Sequence, residues 1–180
     1  MESNNKLNEI IEEKNKVNEY TKNGNFKEAE KGYKEIIDKI NNLPKEELNE
    51  EILNQKKLIL SNLSLSLTKQ KKIKEAKKCD IEIIRKLDNK FSKSYARLIN
   101  NYLDEKNVTC ARYYHSLMIK ECKKEEIGKF LDIIQKLENE INKKDTFIQD
   151  IDFLKQLPKW NKYYKIIIKK SKKFFDYLSI

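Results

Sequence analysis

Three short segments of this chain resemble one another and recur at nearly regular intervals. They read FKEAEKGY, IKEAKKCD and VTCARYYH, and the fourth position of each is an alanine: Ala29, Ala76 and Ala111. The alanines lie 47 residues (76 − 29) and 35 residues (111 − 76) apart. A period of roughly 34 residues is typical of solenoids built from helix-turn-helix repeats. The repeat therefore predicts an all-α chain whose helices pack in pairs.

The spacing of apolar residues gives a map of the helices. The first interval leaves room for an insertion of about a dozen residues, which Asn41-Asn42-Leu43-Pro44 and the acidic stretch after it would accommodate. The predicted helices cover 6–22, 26–41, 45–70, 73–88, 91–105 and 108–122. A seventh, 124–143, has one apolar stripe and would cap the last exposed face, or support a short coiled-coil dimer. The stripe consists of Ile127, Phe130, Leu131, Ile134, Leu137 and Ile141.

Over roughly residues 10–122 the chain resembles the tetratricopeptide repeat family. Asn23-Gly24-Asn25-Phe26, Ala29 and Tyr33 stand where that family places its turn glycine, a small alanine and an aromatic residue. The matching residues of the later repeats are Leu60, Ser64, Leu67 and Ala76, then Tyr95, Tyr102 and Ala111. The resemblance implies a right-handed antiparallel helix-pair solenoid of three tetratricopeptide repeats plus C-terminal capping helices.

The chain also departs from the family pattern at five positions. Glu13 and Val17 replace an expected apolar residue and an expected glycine. Asp80 stands at a usual aromatic position, and Lys71 and Lys106 occupy the turn-glycine positions of the later repeats.

Five polar residues fall at matched positions on the first helix of each pair. These clamp residues are Lys14, Asn18, Asn62, Lys93 and Arg97. Residues four apart share a helix face, and first helices line the groove of a solenoid, so we expect the five to converge there. Lysine and arginine form charge-assisted hydrogen bonds with carboxylates, and asparagine both donates and accepts. The alternative is that they are ordinary solvated residues on polar helix faces.

In the tetratricopeptide family this set of residues is known as a carboxylate clamp, and it binds the Glu-Glu-Val-Asp tails of cytosolic heat-shock chaperones. The resemblance implies a non-catalytic adaptor or co-chaperone whose partner is the C-terminal peptide of a heat-shock protein 90 or heat-shock protein 70 class chaperone. A scaffold that recognises a non-terminal peptide is a further possibility.

Catalytic and metal-binding patterns are not recognisable in the sequence. It shows no Ser-His-Asp grouping and no glycine-rich phosphate loop, so we expect no enzyme, no cofactor and no small-molecule substrate. Cys79, Cys110 and Cys122 are odd in number and widely spaced, which favours packing over a disulfide framework or a zinc site, and His115 is expected to be a packed or surface residue. No apolar run approaches the roughly 20 residues of a membrane span, and the N-terminus lacks an apolar signal core, so the expected localisation is cytoplasmic and the expected state a monomer.

The C-terminal segment differs sharply in composition from the rest of the chain. We predict a repeat domain over 1–143 and a basic amphipathic helical extension over 144–180. Between Lys155 and Phe175 there are eight lysines and no acidic residue, which supply most of the formal net charge of +10. The candidate surface is Trp160, Lys162, Lys165, Lys169, Lys170, Lys172 and Lys173. It would pack as another capping helix, or bind a membrane surface, a calmodulin-like partner or nucleic acid.

Overall fold

The computed structural model describes residues 2–142, and all regular structure in that part of the chain is helical. The α-helices are α1 (Glu2–Lys22), α2 (Phe26–Asn41), α3 (Glu50–Lys69), α4 (Ile73–Glu82), α5 (Ser92–Asp104), α6 (Val108–Glu121), α7 (Lys124–Ile127) and α8 (Leu131–Ile141). The predicted all-α class is confirmed for these residues. The predicted boundary at 143/144 and the extension 144–180 lie outside them.

The chain divides into two compact units, Met1–Arg97 and Leu98–Ile180, and the division falls within α5. In the first unit α1 packs on α2, α2 on α3 and α3 on α4, and α1 also packs on α3. The core of this unit is Ile10, Val17, Ala29, Tyr33, Ile36, Ile40, Ile52, Ile59, Leu63, Leu67 and Ala76. Each large aliphatic side chain buried there contributes about 1.5–3 kcal/mol, so packing rather than local propensity holds the short helices.

The turns after α1, α3 and α5 share one backbone conformation. Gly24, Lys71 and Lys106 have φ angles of 77°, 61° and 58°, in the left-handed region. In each turn the next residue donates its N–H to the carbonyl five residues earlier, which is the bond that closes a Schellman motif. These bonds are Asn25 N to Tyr20 O (2.8 Å), Lys72 N to Leu67 O (2.9 Å) and Asn107 N to Tyr102 O (2.8 Å). The three turns therefore share one backbone geometry, although only the first contains glycine.

The alanine that marks each repeat lies in the first turn of the helix that follows its turn. Ala29, Ala76 and Ala111 are each 0% exposed. A larger side chain at such a position would have to displace its neighbours, which typically costs about 1–3 kcal/mol. Close packing therefore explains why the sequence keeps alanine at these positions.

The sequence predicts that the insertion after α2 lengthens the next helix, which would then cover 45–70. In the structure the insertion is not part of that helix. Residues Lys45–Glu47 form a separate 3₁₀-helix, and α3 begins only at Glu50. Asn49 has an extended backbone (φ −85°, ψ 173°), and its side-chain oxygen accepts a hydrogen bond from the Ile52 N–H at 2.9 Å. This cap satisfies one of the unpaired donors at a helix start, so the asparagine fixes where α3 begins.

The second interval, one residue longer than the typical period, contains a local widening of the helix. α4 continues as a π-helix over Ile83–Leu87, and the Asp88 N–H bonds the Ile83 carbonyl at 2.8 Å. This hydrogen bond spans five residues, whereas an α-helical hydrogen bond spans four, so the turn accommodates one additional residue. Asp88 then has an extended backbone (φ −157°, ψ 99°), which ends the helix.

In the second unit α6 packs on α7 and α8, and the Tyr102 ring stacks on Tyr114 with centroids 5.5 Å apart. The single helix expected over 124–143 is wrong, because a 3₁₀-helix over Gly128–Phe130 separates α7 from α8. The backbone of Phe130 is not α-helical (φ −128°, ψ 29°), so α8 does not continue α7 as one straight helix.

This break also divides the apolar stripe that the sequence predicts. Ile134 and Leu137 are buried, whereas the Leu131 side chain is 65% exposed. The stripe is therefore not continuous, and the heptad-like spacing proposed for a coiled coil does not lie on one straight helix.

Candidate functional site

The five clamp residues all lie in the first unit, on α1, α3 and the first part of α5. Lys14 and Asn18 are one turn apart on α1, Asn62 lies on α3, and Lys93 and Arg97 are one turn apart on α5. This distribution over alternate helices agrees with the expectation that they occupy the first helix of each pair.

Asn18 and Asn62 are in direct contact. The Asn62 Nδ2 donates to the Asn18 Oδ1 at 2.9 Å, and the Tyr33 hydroxyl donates to the same oxygen at 2.7 Å. Tyr33 is fully buried, and its hydroxyl lies 3.0 Å from the Thr21 Oγ1. Burial raises the pKa of the Tyr33 hydroxyl, against a smaller lowering by hydrogen bonds from Thr21 and Asn62. The tyrosine therefore remains a neutral donor that orients the Asn18 amide.

This orientation determines which groups the asparagine pair presents. With its oxygen held by two donors, Asn18 has its side-chain NH₂ without a partner among residues 2–142, and the Asn62 Oδ1 has none there either. Both residues are partly exposed. The pair therefore offers two N–H donors and one acceptor side by side, which suits a carboxylate and a peptide N–H respectively.

Lys14 is directed along α3 rather than toward the asparagine pair. Its Nζ donates to the Gln55 Oε1 at 2.7 Å. Partial burial lowers the pKa of the Lys14 ammonium. Gln55 is two helical turns before Asn62 on α3, so the Lys14 ammonium binds α3 about two turns away from the asparagine pair.

Arg97 is bound side-on by a carboxylate of the same chain. Its Nε lies 3.1 and 3.2 Å from the two Asp80 oxygens, and its Nη2 lies 2.8 Å from Oδ1. Asp80 is 0% exposed, and the Ser64 hydroxyl donates to its Oδ2 at 2.5 Å. The Arg97 Nη2 also donates to the Ser61 Oγ at 2.8 Å. The ion pair joins α5 to α4 and α3.

Lys93 differs from the other two cations in its surroundings. It is exposed, and no residue in the described part of the chain accepts a hydrogen bond from its ammonium. It therefore keeps an uncompensated positive charge one helical turn before Arg97.

The structure thus brings some of the clamp residues together and keeps others apart. Asn18 and Asn62 are hydrogen-bonded, and Arg97 is hydrogen-bonded to Ser61, the residue before Asn62, whereas within the described residues Lys14 and Lys93 form no hydrogen bond with the other four. Sequence reasoning missed Asp80 and Ser61 as parts of the site. The signal for Asp80 was its alignment with the buried Tyr33, since each stands four residues after the alanine of its repeat and a buried acid requires a partner.

The cysteine and histidine side chains considered in the sequence analysis can also be placed. Burial raises the pKa of the Cys79 thiol to about 12, so it is not a reactive thiolate near neutral pH. His115 is buried, and this burial lowers its pKa to about 4. Within residues 2–142, no group of three or more His, Cys, Asp and Glu side chains could hold a metal ion. In the same range, no helix is both long enough and apolar enough to cross a membrane.

The basic aromatic surface predicted for the C-terminal segment lies outside the described residues. It consists of Trp160, Lys162, Lys165, Lys169, Lys170, Lys172 and Lys173.

The chain matches no protein-family model and no curated protein.

Proposed function

We propose that this protein is a non-catalytic peptide-binding adaptor whose helix pairs form a right-handed solenoid of three tetratricopeptide repeats. Its ligand would be the acidic Glu-Glu-Val-Asp C-terminus of a heat-shock protein 90 or heat-shock protein 70 class chaperone. The binding residues would be Lys14, Asn18, Asn62, Lys93 and Arg97. The observation that carries the proposal is the hydrogen bond between Asn18 and Asn62, which leaves a donor group and an acceptor side by side.

The polar groups of the site match the end of a peptide. A terminal carboxylate would accept from the Asn18 NH₂ and from the exposed Lys93 ammonium, and a backbone N–H would donate to the Asn62 Oδ1. The repeat architecture has separate support in the shared left-handed turns at Gly24, Lys71 and Lys106.

Apolar residues flank the asparagine pair on α3. Leu58 and Leu65 lie about one turn before and one turn after Asn62, and both are partly exposed, Leu65 at 38%. Partly exposed aliphatic side chains beside polar donors are typical of ligand-binding surfaces. They would contact the valine side chain of the peptide.

Calorimetric titration with a peptide ending in Met-Glu-Glu-Val-Asp tests this function, with the same peptide amidated at its C-terminus as the control. Binding of the free acid alone is the expected result, because amidation removes the negative charge of the terminal carboxylate that the clamp residues would bind. Equal binding of both peptides would instead favour a scaffold that recognises a non-terminal peptide, and binding of neither would reject the clamp.

Lys93 is the clamp residue best suited to mutation. Lys93→Ala removes an exposed ammonium that has no partner in the described structure, so the fold should be unaffected. We expect a loss of about tenfold or more in affinity for the free acid, the effect of one charge-assisted hydrogen bond. Lys74→Ala is the matched control, because Lys74 is also an exposed lysine, on α4, and its loss should leave affinity unchanged. A normal affinity for Lys93→Ala would count against the clamp.

A second candidate function depends on the lysine-rich C-terminal segment, which the sequence distinguishes by eight lysines and no acid between Lys155 and Phe175. In that case the repeats are a scaffold, and the segment binds nucleic acid or a membrane. Affinity would then fall steeply with salt, because contacts with phosphates release counterions. Deletion of 159–180 would abolish this activity and leave binding of the chaperone peptide intact.

A further inference from the structure

We propose that Asp80 is a specificity-determining residue: an internal carboxylate that occupies the bidentate edge of Arg97 and leaves recognition of a peptide carboxylate to Lys93 and Asn18. This inference rests on the proposed function of the same site. Within the described chain, Asp80 is the only acidic side chain that contacts a clamp residue.

The hydrogen bonds of Arg97 show how much of its guanidinium is already used. A guanidinium has five N–H donors. The Nε–H is shared between the two Asp80 oxygens, and Nη2 donates to Asp80 and to Ser61. Only the two N–H groups of Nη1 have no partner among the described residues. A peptide carboxylate therefore cannot take the side-on edge, with its two parallel bonds, while Asp80 holds it.

Burial makes this internal contact persistent. Asp80 is 0% exposed and accepts a further hydrogen bond from Ser64, while the Arg97 side chain is 19% exposed. Removing the guanidinium from Asp80 would leave a buried carboxylate without its cation, which is strongly unfavourable. A peptide is therefore not expected to displace Asp80.

Charge compensation adds to the geometric effect. Asp80 lies within hydrogen-bonding distance of Arg97, so a ligand carboxylate at the Nη1 end experiences attraction to Arg97 and repulsion from Asp80 together. The net attraction of this side of the site for anions is reduced, and Lys93, which has no such neighbour among the described residues, becomes the dominant cation.

The test compares Asp80→Asn with the unmodified protein, using the free-acid and amidated Met-Glu-Glu-Val-Asp peptides in calorimetry. Asparagine is nearly isosteric and removes the charge: its oxygen can still accept from Arg97, and its NH₂ can donate to the Ser64 hydroxyl oxygen. We expect Asp80→Asn to bind the free acid about tenfold more tightly, with no change toward the amide. Glu30→Gln is the control, because Glu30 is also a buried carboxylate paired with lysines but does not touch Arg97.

The outcomes distinguish a failure of this inference from a failure of the proposed function on which it rests. Tighter binding of the free acid by Asp80→Asn, without such a gain for Glu30→Gln, supports the role of Asp80. If the unmodified protein binds the free acid and Asp80→Asn binds it equally or more weakly, the inference is wrong and the clamp stands. If neither binds, the proposed function itself is wrong.

A measurement on the unmodified protein covers the case in which Asp80→Asn does not fold. The ¹⁵N resonance of the Arg97 Nε should keep its position through a titration with the free-acid peptide, since Asp80 retains that group. A large shift of the Nε resonance that saturates with the peptide would show that Arg97 leaves Asp80, and would overturn the proposal.

Discussion

The Val17 Cγ2 lies 2.5 Å from the point that a β-carbon on Gly32 would occupy, and the Val17 Cγ1 lies 3.1 Å from it. Helices α1 and α2 therefore meet without spare room at this pair. The space for the Val17 side chain is supplied by Gly32 on the opposite helix, which has no β-carbon.

Gly32→Ala is expected to destabilise the protein by about 1–2 kcal/mol. Overpacking costs about 1–3 kcal/mol, which the better helix propensity of alanine offsets by up to about 1 kcal/mol. In a Val17→Ala background the same substitution should be stabilising, because the obstructing methyl groups are gone. Urea unfolding followed by circular dichroism measures both, and destabilisation in both backgrounds would contradict the close contact.

Two buried serines on α3 should respond to alanine in opposite ways. Ser64 and Ser66 are both 0% exposed, but Ser64 donates to Asp80, whereas the Ser66 hydroxyl has no partner within the described residues. Ser64→Ala should destabilise by about 1–3 kcal/mol, and Ser66→Ala should be neutral or stabilising by up to about 1 kcal/mol. Equal losses for the two variants in thermal unfolding would refute this difference.

Arg97→Ala is expected to affect folding as well as binding. The substitution leaves the buried carboxylate of Asp80 without its cation, which costs about 3–5 kcal/mol in comparable buried pairs. The double variant Arg97→Ala with Asp80→Asn should recover much of that loss, because no buried charge remains. The urea concentrations at which the two variants are half unfolded measure this recovery. Similar midpoints would mean that the charge of Asp80 does not destabilise the protein when Arg97 is absent.

Glu30 should contribute stability that is lost only in strong acid. Burial alone would raise its pKa, but hydrogen bonds from Lys34, Lys72 and Gln70 together lower the pKa to about 2. Since the folded-state pKa lies below the unfolded value near 4.5, this stabilisation is present above about pH 4.5 and is lost as the pH falls toward 2. Glu30→Gln should flatten the stability profile in that window by an amount on the order of 3 kcal/mol.

His115 should affect the free energy of unfolding in a different pH range. Burial lowers its pKa from 6.5 to about 4, so between these values the unfolded chain binds more protons than the folded one. Stability should therefore fall as the pH drops from about 6.5 to about 4, by an amount on the order of 3 kcal/mol. Unfolding free energies of His115→Gln measured at pH 7 and pH 4.5 should differ less than those of the unmodified protein.

The sequence predicts the positions of most helices because the repeats carry local signals. The turn at Gly24 and the alanines at 29, 76 and 111 lie where the pattern places them. Lys71 and Lys106 show that the turn geometry persists without glycine, because the surrounding hydrogen bonds hold the conformation that the residue itself disfavours.

Other features could not be predicted because they depend on contacts distant in sequence. The exposure of Leu131 follows from the backbone of Phe130, which no periodicity reveals. Placement of Lys14, Asn18 and Arg97 on the first helix of each pair was predictable, but the partner of each was not. The binding role of all five clamp residues stays a prediction.

The left-handed lysines give a practical way to study the buried ion pair. A residue with a β-carbon in this conformation costs about 1–2 kcal/mol more than in a right-handed one, a cost that glycine does not carry. Lys71→Gly and Lys106→Gly would therefore provide a more stable parent protein with both turns unchanged in shape. In that parent, variants of Arg97 and Asp80 that are too unstable to purify on their own become measurable, so a loss of binding can be distinguished from a loss of folding.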